Sequence, residues 1–213
     1  AFSLKKKSQN SNDNAKNLIS GRRRSLRNIK IIVLFRYLNM YTTDGIILKK
    51  VDIGEANAVF SIYTKDFGKI KTTAQGVKKE QAKLKGHLEK MNLAEIYFVE
   101  GKGGYRLTSA DAKNLFPNLR SSLPALKAAF YCLEFYEKLV LEGEKDLKLW
   151  DLLNRSLAFL DQNSGLPTGN LENFFGLFEK EFISISGYGV SEESHIATLT
   201  RDLNVKVIAR PTF

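Results

Sequence analysis

The chain has 213 residues, of which 43% are hydrophobic and 26% charged, proportions typical of a globular protein with a sizeable core. One cysteine and two histidines exclude a disulfide framework and a four-cysteine zinc site, and no run of 18 apolar residues predicts a membrane-spanning helix. The formal net charge of +10 indicates an anionic partner, but its position along the chain matters.

Most of that charge lies at the start of the chain. Residues 1–39 contain ten Lys or Arg and one acidic residue, Asp13. This composition predicts a disordered basic leader, which could act as an arm that grips nucleic acid. A signal peptide is not favoured, because the apolar run at 31–35 is short and flanked by charges. Because Met40 is the first methionine, we interpret residues 1–39 as upstream sequence outside the native protein.

Residues 40–116 have the pattern of a small β domain. Five strands are predicted at 45–51, 58–64, 69–75, 94–99 and 105–109. Gly68 ends a predicted tight turn, since glycine adopts positive φ at little cost. In the third strand, alternation puts Lys69, Lys71, Thr73 and Gln75 on one exposed face. Five strands in about 70 residues indicate a small barrel or sandwich.

The period changes to helical at Pro117. Leu123, Leu126, Phe130, Leu133 and Val140 form the apolar stripe of a first helix, and residues 145–162 form a second. A third begins at Asn170, a favourable N-cap residue, and ends before Gly187. We expect Phe130, Trp150, Phe174 and Phe178 to share one core. This predicts an all-helical domain over residues 117–190, with an acidic balance, followed by an uncertain segment at 191–213.

Four features could support catalysis or metal binding, and each has a simpler structural interpretation. The glycines at 101–104 suit a hairpin turn better than a phosphate loop, because no helix follows them. Cys132 lies within a helical apolar stripe and is expected in the core. His87 is expected at the surface without a role. The acidic residues of the first interhelical loop are expected to be solvated rather than to bind Mg²⁺: Glu142, Glu144 and Asp146. An enzyme is therefore not favoured.

A basic stretch remains between residues 69 and 90, with seven lysines against two glutamates. A strand face continued by a basic loop could follow a phosphate backbone by neutralising its charge. Nearby aromatic residues could stack on bases or fill the core; they are Phe60, Tyr63, Phe67, Tyr97 and Tyr105.

An ordered series of short motifs resembles the bacterial RecO family of recombination mediators. The series comprises Asp-Gly-Ile-Ile-Leu-Lys at 44–49, Gly-Glu-Ala-Asn at 54–57, Thr-Lys-Asp-Phe-Gly-Lys-Ile at 64–70, Ala-Gln-Gly-Val-Lys-Lys at 74–79, Leu-Lys-Gly-His-Leu at 84–88, Phe-Pro-Asn-Leu-Arg at 116–120 and Gly-Tyr-Gly at 187–189. The resemblance covers residues 41–190. Beyond Val190 no similarity to the family is recognised.

The resemblance implies an α+β protein, in which an OB-fold, a five-stranded β-barrel, precedes an all-helical domain. It implies binding of single- and double-stranded DNA, strand annealing, and action in DNA repair and recombination after DNA damage. The implied partners are RecR and single-stranded DNA-binding protein, with RecA loaded indirectly, in the cytoplasm at the bacterial nucleoid. The implied DNA contacts are Lys69, Lys71, Lys78, Lys79, Lys83 and Lys85. Many relatives have a cysteine zinc motif after the Gly-Tyr pair, whereas this chain has none there, so we expect no zinc and no other cofactor.

The alternative is an RNA-binding OB-fold protein of the translation or ribosome machinery. Competition between single-stranded DNA and structured RNA would separate the two hypotheses, because RNA is recognised by its shape and its 2′-hydroxyls.

Overall fold

Five strands and then four helices make up the described part of the chain. The computed structural model describes residues 40–77, 86–165, 167–187 and 210–212. The strands are β1 (Met40–Ile53), β2 (Asn57–Thr64), β3 (Gly68–Ala74), β4 (Leu93–Gly101) and β5 (Gly104–Asn114). The helices are α1 (Pro117–Ser121), α2 (Leu123–Leu139), α3 (Leu147–Gln162) and α4 (Thr168–Ser186). Among the helices of these residues, none is both long and apolar enough to cross a bilayer.

The strands form a closed barrel in the order β1-β2-β3-β5-β4. Antiparallel pairs join β1 to β2, β2 to β3 and β4 to β5, while a short parallel pair joins β3 to β5 at Thr72–Tyr105 and Thr73–Arg106. Closure removes the sheet edges that would otherwise expose unpaired backbone groups. A closed five-stranded barrel followed by helices confirms the α+β class and the predicted OB-fold. All five predicted strands are present, and four of them extend further than predicted.

The turn before β3 has the predicted glycine conformation, for a reason that the sequence did not reveal. Gly68 has a φ of +65°, and a Cβ added there would lie 2.1 Å from the carbonyl oxygen of Glu144. The backbone of the α2–α3 loop therefore passes directly against the barrel at this turn. Gly143 N–H donates to the Lys69 carbonyl at 2.8 Å in the same region.

The three predicted helices are present, and a short one, α1, was not predicted. α3 begins after Asp146, whose side chain accepts hydrogen bonds from the N–H groups of Lys148 and Leu149. α4 begins at Thr168, two residues before the predicted N-cap at Asn170. The chain enters α1 through Phe116, whose φ of +48° turns the backbone sharply at the end of the barrel.

Two hydrophobic clusters stabilise the described residues. The first fills the barrel interior and includes Phe60, Ile62, Ile96 and Phe98. The second joins outward-facing barrel residues such as Tyr63 to the buried faces of the helices. The helices therefore pack on the outside of the barrel through a continuous apolar core, and they leave only part of the barrel surface open.

The predicted aromatic core of the helical domain is partly wrong. Trp150 and Phe178 are buried, and Phe174 is partly buried against the same cluster. Phe130, however, is 41% exposed. Its helical spacing placed Phe130 on the apolar stripe of α2, but α3 and α4 do not cover the full width of that stripe.

Candidate nucleic-acid interface

The outward side chains of β2 and β3 form one continuous row of pairs, which we call the β2–β3 outer face. Strand alternation points every second residue away from the barrel interior. The antiparallel register sets these residues opposite one another as Val59–Thr73, Ser61–Lys71 and Tyr63–Lys69. The helical domain covers one end of this face and leaves the other end open.

The covered end is fixed by two aromatic residues of the helical domain. The ring of Tyr63 lies 4.9 Å from that of Tyr136 and 6.3 Å from that of Trp150, measured between centroids. Its hydroxyl donates to the carbonyl of Asp146 at 3.2 Å. Burial and the nearby carboxylates of Asp146 and Glu144 raise the pKa of Tyr63 well above its usual value. This residue is therefore part of the core and is not available to stack on a base.

Lys69 lies at the covered end and is only 7% exposed, so the predicted exposed position of this lysine is wrong. Its ammonium donates to the carbonyls of Glu137 at 2.6 Å and Tyr136 at 3.4 Å, near the last turn of α2. Desolvation lowers the pKa of Lys69, while the charges of Glu137 and Glu142 oppose that shift. A cation at the C-terminal end of a helix complements the helix dipole and its unpaired carbonyls. In this position Lys69 holds the helical domain on the barrel.

Lys71, two residues further along β3, lies at the open end with 59% of its side chain exposed. Its ammonium pairs with Glu142 of the α2–α3 loop, and the hydrogen bond to that carboxylate raises the pKa of Lys71. The lysine therefore stays protonated at neutral pH. Because exposed ion pairs contribute only about 0–1 kcal/mol, a phosphate group could displace Glu142.

A cleft of about 760 Å³ opens beside Lys71. One wall is β3, a second is formed by Gly103 of the hairpin turn with Gly104 and Tyr105 of β5, and a third is the α2–α3 loop. Arg106 pairs with Thr73 in the parallel β3–β5 register and is exposed. Among the described residues it has no salt bridge, so its charge faces the solvent uncompensated.

The row of basic residues continues onto β1. Lys49 is opposite Ser61 in the register, and its ammonium lies 3.9 Å from a carboxylate oxygen of Glu137. Ser61 also bonds to the Glu137 carboxylate. The prediction from sequence omitted Lys49 and Arg106. Period-two alternation along β5 could have placed Arg106 on the outside, whereas the irregular register between Ile47 and Lys49 breaks that alternation in β1.

The predicted loop lysines Lys78, Lys79, Lys83 and Lys85 lie outside the described residues, so their DNA contacts stay predictions. At the end of this stretch, His87 has a role that was not predicted. Its Nδ1 accepts a hydrogen bond from the backbone N–H of Ala112 at 2.9 Å. The ring thus ties the turn after the loop to β5, which corrects the expectation of a surface histidine without a role.

The aromatic candidates divide into buried and accessible residues. Phe60 and Tyr63 have no exposed surface and belong to the two cores. Phe67 and Tyr105 are partly exposed and line the cleft beside Lys71. Tyr97 is also partly exposed, on β4, where its hydroxyl donates to the carboxylate of Glu95 at 2.6 Å. Two partly exposed rings therefore border the cleft, and both also pack against Phe98 of the barrel core.

The residues considered above as possible catalytic or metal-binding groups all have a structural role. Cys132 is completely buried, and desolvation raises the pKa of its thiol. In the acidic loop, Asp146 caps α3 and Glu142 pairs with Lys71. The residues 101–104 form the predicted hairpin turn between β4 and β5. Within the described ranges, no three His, Cys, Asp or Glu side chains are grouped as a metal site would require.

Two known protein families match the sequence of this chain. The family described as recombination protein O, N terminal, matches residues 38–116, which include the whole barrel. The family described as recombination protein O, C terminal, matches residues 120–211. The chain belongs to the RecO family.

Curated relatives in the RecO family agree with this result. The chain is 29% identical over 149 residues to the DNA repair protein RecO of Geobacter metallireducens, covering 70% of this chain and 59% of the relative. Identity to the DNA repair protein RecO of Alkaliphilus metalliredigens is 28% over 145 residues, covering 68% and 57%. A Dehalococcoides mccartyi protein of the same name is 33% identical over 148 residues, covering 70% and 56%. The chain thus spans somewhat over half the length of these RecO relatives.

The RecO match also corrects the expectation that the family pattern ends at Val190, because it extends to residue 211. Arg210 is packed on the helical domain, where its Nε and Nη2 donate to the carboxylate of Glu179 at 2.8 and 2.7 Å. Glu179 is 1% exposed and also accepts from the Tyr131 hydroxyl at 2.7 Å. A buried carboxylate needs such partners, so this late residue is integrated with α2 and α4.

Proposed function

We propose that this chain acts in DNA repair as a DNA-binding and strand-annealing recombination mediator, without covalent catalysis. In this proposal it works with RecR and single-stranded DNA-binding protein, and RecA is loaded as a result. Membership of the RecO family supports the assignment, since the matched relatives are named DNA repair proteins.

The observation that carries the proposal is the open end of the β2–β3 outer face. Lys71 and Arg106 offer two exposed cations beside the cleft, and Phe67 and Tyr105 offer accessible rings. A positive groove combined with aromatic surfaces is the common means of binding single strands without sequence preference. The fold supplies such a surface because β3 and β5 are neighbours in the closed barrel.

We further propose that the lysines of the segment that follows β3 in sequence extend this surface. Lys78, Lys79, Lys83 and Lys85 follow directly in sequence from β3, whose open end includes Lys71. In this proposal Lys71 contacts phosphate directly. Lys69 supports the site indirectly, because its ammonium is bound to the carbonyls of α2.

The test is a salt titration of binding to two unrelated single-stranded DNA sequences, with a Lys71→Ala, Arg106→Ala double variant. Each lost phosphate contact removes about 0.7 from the slope of log affinity against log salt on single strands. We expect weaker binding to both sequences by a similar factor and a slope reduced by roughly 1.4. Lys148→Ala is the matched control, since Lys148 is exposed on α3 at the helical domain.

An unchanged slope in the double variant, with the control also unchanged, would contradict this binding surface. Annealing of complementary strands by the same proteins tests the proposed activity, and co-elution with RecR tests the proposed partner. Competition with structured RNA addresses the alternative RNA-binding function. Stronger binding to RNA than to single-stranded DNA would favour that alternative.

A further inference from the structure

Phe130 is an exposed aromatic residue in the middle of α2, where its neighbours Ala129 and Tyr131 are buried. The residue is 41% exposed, and the ammonium of Lys90 lies 5.9 Å from the ring centroid. Lys90 comes from the segment that precedes β4, so the ring lies beside the barrel. We call the surface made by Phe130, Lys90, Arg120, Lys49 and Lys50 the Phe130 ledge.

Several shallow depressions meet at the ring of Phe130. One of about 340 Å³ contains Leu48 and Lys49 of β1 together with Glu134 and Glu137 of α2. Another of about 410 Å³ contains Lys50, Lys90 and Arg120 together with the acidic residues Asp52 and Glu89. The ring forms part of the wall of both, so a planar group could approach it from the solvent without displacing a core residue.

Two cations of the Phe130 ledge lack a carboxylate partner among the described residues. The guanidinium of Arg120 donates only to neutral oxygens, namely the Leu115 carbonyl at 3.1 Å, the Lys90 carbonyl at 3.0 Å and Asn92 Oδ1 at 2.7 Å. These bonds fix its position but leave its charge uncompensated. Lys90 has no salt bridge with a described residue either, and its contact is the Phe130 ring.

The remaining lysines of the ledge have weak partners. Lys50 lies 3.6 Å from Glu89, and Lys49 lies 3.9 Å from Glu137. Such partly exposed pairs cost little to exchange for another anion. The acidic residues nearby therefore reduce the positive potential of the ledge without blocking it.

Lys49 joins the ledge to the β2–β3 outer face. It lies opposite Ser61 in the strand register, next to the Ser61–Lys71 pair, and it also lines the depression that contains Phe130. A path from Arg106 and Lys71 across β1 to Lys90 and Arg120 thus has basic residues at both ends, and between Lys71 and Lys49 it crosses the Glu137 carboxylate, which is bonded to the buried Ser61. A strand that lies on the barrel face can continue along this path onto the helical domain.

We propose that the Phe130 ledge is a second contact for the same single-stranded nucleic acid. One base stacks on the ring of Phe130, and Lys90 and Arg120 neutralise the phosphates beside it. The inference rests on the proposed function, because the strand must reach the ledge from the barrel face. A flat ring beside two uncompensated cations matches a base and its phosphates, and aromatic stacking accepts any base.

The experiment compares Phe130→Ala and Phe130→Tyr in the full chain, using fluorescence anisotropy with labelled oligothymidylates of two lengths. Because stacking on an aromatic residue is substantial, we expect Phe130→Ala to weaken binding of a strand of about 30 nucleotides by about 5- to 50-fold. Phe130→Tyr should restore it to within about twofold. A strand of about six nucleotides, which fills the barrel face alone, should lose less than about twofold.

Phe159→Ala is the matched control, since Phe159 is a similarly exposed phenylalanine, at 44%, on α3. It should leave binding of both strands unchanged. Lys90→Ala should reduce the salt slope for the long strand by about 0.7 and leave that for the short strand unchanged. Thermal melts should show every variant folded at the assay temperature, with similar small losses for Phe130→Ala and Phe159→Ala because both rings are more than half buried.

Equal affinity of Phe130→Ala and the parent for the long strand would overturn the ledge as a binding site. Equal losses in Phe130→Ala and Phe159→Ala would overturn it too, since the effect would not be local. The Lys71→Ala, Arg106→Ala variant distinguishes the two proposals. If it loses binding while Phe130→Ala does not, the barrel face stands and the ledge fails; if the parent binds no single strand, the proposed function itself fails.

Discussion

The two ends of the β2–β3 outer face have the same strands and the same alternation of side chains, yet they have different roles. At the covered end, Tyr63 and Lys69 are bound to the helical domain. At the open end, Lys71 is accessible beside a cleft. Lys69 and Lys71 are the same residue type and lie only two positions apart on β3. What a lysine does on this face therefore depends on which end of it the helices cover.

The largest effect should follow from Tyr63→Ala at the covered end. Removing a fully buried aromatic side chain typically costs about 3–5 kcal/mol in the free energy of unfolding. Val59→Ala, on the same face of β2 but at the open end, should cost less than about 1.5 kcal/mol because Val59 is only partly buried. Urea denaturation of both variants measures the difference. Equal costs would mean that the helical domain does not stabilise this end.

The two lysines should separate stability from binding. Lys69→Met leaves the carbonyls of Tyr136 and Glu137 without their buried donor, which should cost about 1–3 kcal/mol. Lys71→Met should change the free energy of unfolding by less than about 0.5 kcal/mol. Affinity for single-stranded DNA should change in the opposite order, with the larger loss in Lys71→Met, when both variants are measured well below their denaturation midpoints. A destabilised Lys71→Met protein would contradict this division of roles.

The covered end should also appear in the alkaline stability of the protein. The pKa of Tyr63 is raised in the folded state, so the folded protein keeps this proton after the unfolded chain has ionised. The stabilising contribution is full below the ordinary tyrosine pKa of about 10 and is lost as the pH rises above it. Tyr63→Phe should therefore lose less stability than the parent between about pH 9 and pH 11. Denaturant titrations across that range test this, and an unchanged pH dependence would contradict it.

The smallest effect concerns Glu142 at the open end. The carboxylate of Glu142 forms an ion pair with the ammonium of Lys71. Glu142→Gln should remove this pair and strengthen binding of single-stranded DNA to Lys71. Because an exposed pair contributes about 0.2–1 kcal/mol, we expect a gain of about 1.5- to 5-fold at low salt and less at high salt. Glu144→Gln on the same loop removes an equal charge and is the control. Equal gains in the two variants would indicate a general charge effect and not competition for Lys71.

The sequence was sufficient for the features that depend on local pattern or on family resemblance. The five strands, the Gly68 turn, the buried Cys132 and the barrel-then-helices order all follow from period, turn chemistry or the RecO motifs. Period two also placed Lys71 on the outside correctly. It could not distinguish Lys69, since alternation defines a face of a strand and does not show what covers that face.

The same limit explains the errors in the helical domain. The apolar stripe of α2 is defined by spacing, but α3 and α4 bury only part of it and leave Phe130 at its margin. The roles of His87 and Arg210 depend on residues 25 and 31 positions away, and nothing in the local sequence predicts such pairs. Arg106 could have been found by extending the strand alternation to β5, but the irregular register between Ile47 and Lys49 hides Lys49 from a period-two pattern.

Gly68 provides a way to separate the barrel from the helices without altering any charge. A methyl group there would meet the carbonyl oxygen of Glu144 at 2.1 Å, far inside van der Waals contact, so Gly68→Ala acts as a wedge between two backbones. Such a variant would leave the open end of the face chemically intact while loosening the attachment of the helical domain, and a genetic screen could use it to ask whether the cell needs the two parts joined.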